Sequence, residues 1–430
     1  MLHRKLEQES AAWVESGWIT ADARQKILAG YQHDTPSLLI RLISVIGVLL
    51  LGVGLISFIA ANWEAMPKLA RLGVLMAFLW GSYLAAGWSL GKGNLPRTGE
   101  ALLLLGVIAF GANIMLIAQI YHISAHFPDG VLLWTTGGIL TAWLLHSQSS
   151  MVIAVALSLI WSGTEMLTFD QLHWQWLPVF TLMLTLSVRR EWFAAFTLLV
   201  IAFYLWMWVF LTVLMPLTGN DYAPVWLGLL VAIVLTMTGR VLSNWIAERR
   251  YGDILTSCSL IAAMLSGWLL TFPAILKTVA INAGVEWYTA AMLIVIATIT
   301  AVDLKQLEPQ QRSSLHTKFG LLFAAGFALI AIAFLVSGKL NPIAFNLLYF
   351  LALVWLIIGA ATERHASRLN LGFFTFAMWL TARYFDTFWD LLDRSLFFLI
   401  GGALFIAISI VLERKRRALL ADMSHQGREQ

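Results

Sequence analysis

The sequence predicts an all-α fold: a polytopic transmembrane helical bundle of about fourteen spans with short loops, preceded by a cytoplasmic helical hairpin. Three observations predict it. The 430 residues are 60% hydrophobic and only 12% charged, with a mean hydropathy of +0.79, a balance that leaves too little charge to cover a soluble domain. Apolar stretches of about 20 residues, the length that crosses about 30 Å of hydrocarbon as helix, recur along nearly the whole chain. Strands of a membrane barrel would be shorter and would alternate. Third, the basic residues are unevenly shared. With loops assigned alternately to the two sides, 21 of the 28 Lys and Arg fall on the side of the N-terminus and six on the other, with Arg41 at the mouth of the first span. Basic loops face the cytoplasm, so both termini are expected there.

The elements follow in chain order. Residues 1–37 read as a hairpin of two short helices, in which Gly17 closes the first, Thr20 caps the second and Gly30 closes it. Leu6, Trp13, Val14, Trp18, Ile27 and Leu28 give the hairpin an apolar face. That face packs on the protein's own cytoplasmic side and the headgroups, or it docks a protein partner. The segment is too polar to be a signal peptide, and the N-terminus is expected to be retained. A transmembrane domain over 38–412 divides into spans at 38–61, 70–90, 101–120, 129–146, 149–165, 174–188, 192–214, 224–242, 251–272, 286–303, 317–336, 343–361, 369–384 and 395–412. The span at 149–165 is the weakest. A basic cytoplasmic tail, 413–430, ends the chain.

All ten prolines fall in loops or first turns, so none breaks a span. Gly106, Gly111, Gly137, Gly138, Gly401 and Gly402, with Gly47, Gly52 and Gly54 in the first span, read as sites of close helix packing. The only cysteine, Cys258, lies in an apolar run, which excludes an intramolecular disulfide or a cysteine metal cluster. The pI of about 9.2 is explained by cytoplasmic basic loops, so no nucleic-acid partner is implied. The partner that composition does imply is the lipid bilayer.

Two polar clusters could carry chemistry. In QIYHISAHFPDG, residues 119–130, the candidates are Gln119, Tyr121, His122, His126 and Asp129. Continued helical phase would put His122 and His126 one turn apart on one face, as a metal or proton-relay site needs. Pro128 argues instead for the start of a new helix with Asp129 in its first turn, which makes the histidines anchors of an interfacial turn. Two histidines and a carboxylate are too few to define a zinc site. In ARYFDTFWDLLDRS, residues 382–395, the groups Arg383, Asp386, Asp390, Asp393 and Arg394 share an arc of about 100° on a helix. Intrahelical pairing of Arg383 with Asp386 and of Asp390 with Arg394 explains them, the alternative being an acidic surface for a cation or a partner. No ionisable side chain falls clearly at the middle of a span, where coupled transporters place their relays. Asn113 and Asn346 are the most central amides and read as helix-packing hydrogen bonds. No motif implies a cofactor or a catalytic residue.

The stretches WVESGWITADARQKILAGY, RLISVIGVLLLGVGLISFIAANW, GANIMLIAQIYHISAHFPDGVLLW and ARYFDTFWDLLDRSLFFLIGGALFIAISIVLERKRR together resemble the bacterial predicted membrane proteins of the domain of unknown function 2157. The resemblance covers both ends and the first third, and it implies a bacterial inner-membrane location and no catalytic residues. Architecture then points to a transporter or channel-like protein for an unidentified solute. Unbroken helices without midplane charge point to a non-transporting scaffold or assembly factor, and a third reading is an intramembrane enzyme acting on lipid-linked substrates, against which the short outer loops argue.

Overall fold

A computed structural model describes residues 65–93, 95–123, 126–214, 223–245, 249–278, 285–306, 315–337, 341–362, 365–388, most of 401–417, and parts of 10–24. Every regular element among the described residues is helical. In order they are α1 (Lys68–Leu90), α2 (Pro96–Tyr121), α3 (Phe127–Leu145), α4 (Gln148–Thr168), α5 (Trp176–Arg189), α6 (Phe193–Leu214), α7 (Ala223–Trp245), α8 (Arg249–Leu270), the single short turn α9 (Pro273–Thr278), α10 (Val285–Gln306), α11 (Leu315–Ser337), α12 (Pro342–Thr362) and α13 (Ala366–Phe388). Residues 408–417 are helical too and are labelled α14. A helix therefore overlies each expected span from 70–90 to 369–384, while the expected first span, 38–61, lies outside the described residues.

Among the described residues, seven helices are long and apolar enough to cross a membrane: α1, α2, α4, α6, α7, α8 and α12. About fourteen crossings are expected, and the described residues support seven. Helix α5 has only 14 residues, about 21 Å at 1.5 Å per residue.

The chain divides into two compact units, Met1–Val74 and Leu75–Gln430. In the first, Gly17 takes a left-handed φ of 73° and its N–H reaches the Val14 carbonyl at 3.1 Å. The Thr20 hydroxyl oxygen accepts the N–H of Ala23 at 3.2 Å, so the turn uses the two residues that the sequence marks for it. Arg24 Nε donates to Ser10 Oγ across that turn at 3.3 Å. Gly30 and the rest of the expected hairpin lie outside the described residues.

Among the described residues the second unit has a small apolar core around Phe196, Val200 and Tyr251 and two large ones. One gathers buried residues of α3 to α6, with Met151, Trp161, Trp176, Met183 and Trp206 among them. The other gathers α7 to α12 around Trp226, Leu230, Leu270 and Phe334. Helix α6 packs against both α7 and α8 and so joins the two groups. The α7–α8 pair is held at a backbone crossing that only glycine permits. A Cβ on Gly252 would lie 2.6 Å from the Gly239 carbonyl oxygen, and one on Gly239 would lie 2.9 Å from that of Gly252.

The last helix runs through residue 413 to residue 417, so the boundary expected between membrane domain and basic tail falls inside a helix. Glu413 accounts for this: its carboxylate accepts from Arg416 Nη1 and from Arg417 Nε, both at 2.7 Å, and such pairs three and four residues apart sustain helix.

Candidate functional site

The polar stretch between α2 and α3 is a turn, and its backbone shows why. His122 sits at φ 53°, in the left-handed region. Its N–H reaches the Gln119 carbonyl at 3.3 Å while that of Ile123 reaches the Ala118 carbonyl at 2.9 Å, the paired bonds of a Schellman close. Helical phase therefore ends at Tyr121, and His122 and His126 do not share a face. Pro128 lies in the first turn of α3, with His126 at the N-cap and Asp129 in the first turn, as the position of the proline leads one to expect. Gln119, Tyr121, His122 and Asp129 are all exposed. Among the described residues the Gln119 side chain has no hydrogen-bond partner on a neighbouring helix; its backbone carbonyl closes α2.

His126 does find a partner, on another helix. Its Nε2 lies 2.9 Å from Glu165 Oε1 in the last turn of α4, and its ring lies 4.3 Å from that of Phe169. The contact is an ion pair when the imidazole is protonated and a neutral hydrogen bond otherwise. Behind it, His173 in the α4–α5 connection is buried with its Nδ1 2.9 Å from Ser162 Oγ. Burial lowers the pKa of His173, an effect that the Glu165 charge partly opposes. A neutral ring with its proton on Nε2 accepts the Ser162 hydroxyl at Nδ1. Ser162 Oγ in turn accepts the indole N–H of Trp206 at 3.0 Å. One turn earlier, Ser158 Oγ donates to the Val155 carbonyl at 2.7 Å and accepts from Trp176 Nε1 at 3.1 Å. The two indoles stack, with centroids 5.0 Å apart and planes at 17°, and the Trp161 edge meets the His173 ring at 4.5 Å.

These hydroxyls belong to a line. Ser147, Ser150, Ser158 and Ser162 are all fully buried, and with Ala154 and Glu165 they fall within an arc of about 120° at 3.6 residues per turn. From Ser147 to Glu165 the line covers about 27 Å of helix. Its other end is also acidic. Glu100 Oε2 in the first turns of α2 accepts the Ser147 hydroxyl at 2.8 Å and that of Ser149, while Ser147 caps α4 by accepting the Ser150 N–H at 3.2 Å. Between Ser150 and Ser158 the line is interrupted by Ala154, flanked by the buried Met151, Val155 and Leu157.

The second sequence cluster is described only in part. Arg383 Nη1 donates to Asp386 Oδ2 at 2.9 Å, the intrahelical pair expected. The guanidinium also lies over the Phe272 ring, 4.9 Å from its centroid, and its buried Nε and Nη2 have no hydrogen-bond partner among the described residues. Asp390, Asp393 and Arg394 lie outside the described residues. Both central amides do tie helices together: Asn346 Nδ2 donates to the Thr271 carbonyl at 2.9 Å and its Oδ1 accepts from Trp379 at 3.3 Å, and Asn113 donates to the Leu75 carbonyl at 3.3 Å.

The structure thus pairs one residue of the first cluster, His126, with Glu165, while His173, Ser158 and Ser162 form a separate hydrogen-bonded group nearby in sequence; none of these partners stands out by motif. Among the described residues no group of three or more His, Cys, Asp and Glu is arranged to hold a metal ion. No curated protein and no solved structure matches the chain. The match that exists lies in the N-terminal third and takes in the residue 11–24 turn, α1 to α3, Glu100, His126 and the Ser147 cap: residues 11–151 match the family described as "Predicted membrane protein (DUF2157)", and the chain is a membrane protein with several apolar helices.

Proposed function

We propose that the protein carries a small polar solute across the membrane along the hydroxyl face of α4. The observation that supports this reading is the line from Glu100 through Ser147, Ser150, Ser158 and Ser162 to Glu165, His126 and His173. A polar row costs free energy in an apolar bundle unless every member is bonded, and here the hydroxyls are bonded in two clusters, at Ser147 and Ser150 and at Ser158 and Ser162, separated by the apolar stretch around Ala154. Carboxylates stand at both ends, which favours a proton or a monovalent cation over an anion. The excess of basic residues on the N-terminal side supports an inner-membrane topology with both termini cytoplasmic. Glu165, His126 and His173 then form the outer end and Glu100 the inner one.

A non-transporting scaffold is the second reading, and one observation favours it: the stacked indoles of Trp176 and Trp206 fill the space beside Ser158 and Ser162. Reconstitution into sealed vesicles separates the two. With an enclosed pH dye and an imposed potassium gradient, the transport reading expects proton or cation flux in the wild type that falls at least about tenfold in Ser162→Ala, with the thermal transition of both proteins recorded as a folding control. Absence of flux in the wild type, for protons, potassium and a small neutral polyol alike, assigns the scaffold reading.

A further inference from the structure

A cleft of about 690 Å³ separates α13 from α14, far from the α4 face in sequence. Its volume falls in the roughly 300–1,000 Å³ range of small-ligand sites. The walls are apolar for most of their length. Phe373, Phe374, Ala377 and Leu380 line it from α13, Ile408 and Leu412 from α14, and Phe374 is 65% exposed. From Asn370 to Thr381 the α13 wall runs for about 16 Å, a depth that suits an extended hydrocarbon chain better than a compact solute.

One end of the cleft is charged. Arg416 Nε donates to Asn370 Oδ1 at 2.7 Å, which bridges the two helices at the rim. Arg416 and Arg417 both hydrogen-bond to Glu413 and hold its carboxyl below the usual carboxylate range. Of these only Glu413 and Arg416 line the cleft, but Arg414, Lys415 and Arg417 stand within one turn of Arg416, so the end of α14 keeps a net positive charge after Glu413 is counted. An apolar slot that ends in a run of bases is complementary to a ligand with an acyl chain and an anionic headgroup.

We infer that the α13–α14 cleft binds an anionic phospholipid, with an acyl chain along Phe373, Phe374 and Leu380 and the headgroup phosphate at Arg416 and its basic neighbours. The lipid links the two helices where Arg416 and Asn370 already meet, and so anchors the end of the chain to its own leaflet.

The full-length protein, purified in a non-ionic detergent and exchanged into equal mixtures of phosphatidylglycerol and phosphatidylcholine, tests this by native mass spectrometry. Phosphatidylglycerol is expected to be retained over phosphatidylcholine by about tenfold. Arg416→Gln is expected to erase most of that preference, and Ala377→Phe, which fills the slot, to remove retention of both lipids. Each variant is read beside its thermal transition, and either one alone suffices if the other fails to fold. Equal retention of the two lipids by the wild type would overturn the inference. So would displacement of the bound lipid by soluble glycerol phosphate at the concentration at which phosphatidylglycerol displaces it, because the site would then recognise the anion without the chain.

Discussion

His173 carries a proton less readily in the folded protein than in the unfolded chain, because burial penalises the imidazolium more than Glu165 favours it. The sign of the linkage follows. Between the lowered folded value and the ordinary value of 6.5 the unfolded chain binds more protons, so stability rises with pH through that window and is lost as pH falls through it. We therefore expect the thermal transition of the detergent-solubilised protein to drop between about pH 8 and about pH 5, and to drop less in His173→Gln, whose amide can still meet Ser162 but does not titrate. Equal drops in the two proteins would contradict the assignment. Ser162 shows how dense this environment is, since one hydroxyl serves both an imidazole and an indole, and removing a shared partner from buried polar groups costs about 1–3 kcal/mol.

Among elements, the α7–α8 pair and α4 show what sequence pattern does and does not reveal. At the Gly239–Gly252 crossing each Cα faces backbone of the other helix. Gly252→Val is expected to force the helices apart and destabilise by about 1–3 kcal/mol, the usual scale of overpacking, while the same change at Gly402, where nothing lies within 4 Å, is expected to shift the transition little. The contrast, measured as two denaturation midpoints against the wild type, would be absent if the crossing were loose. Neither glycine of the tight pair belongs to the adjacent or closely spaced sets by which glycines attract notice, whereas Gly106 and Gly111 do and meet Tyr83 and Trp134 as their spacing suggests. Helices themselves were legible because twenty apolar residues in a row have few other uses, and the α2–α3 turn was legible because Pro128 fixes where the second helix starts. The α4 face was not. Its serines lower the hydropathy of 149–165, which makes the span look weak, and only the partners supplied by α2, α5 and α6 turn that weakness into a row of bonds. Those partners lie up to 49 residues away in the chain, and local periodicity does not register contacts at that separation.

At the scale of the molecule, the uneven distribution of basic residues makes the topology testable. Alkaline phosphatase, active only outside, is expected to be active when fused after Asp129 and inactive when fused after Arg190 or Arg250; the reverse pattern would invert the orientation. The same orientation gives the interruption in the α4 line an electrical meaning. A transmembrane potential falls mainly across the material that polarises least, and within this bundle that is the layer of Met151, Ala154, Val155 and Leu157. An elementary charge moved through 100 mV gains or loses about 2.3 kcal/mol, and most of it would be felt over about the 12 Å of helix that separate Ser150 from Ser158. Ala154 thereby occupies the place of the dielectric in a capacitor whose plates are the two hydroxyl clusters, and a single hydroxyl introduced there would thin the insulator more than any change at either end.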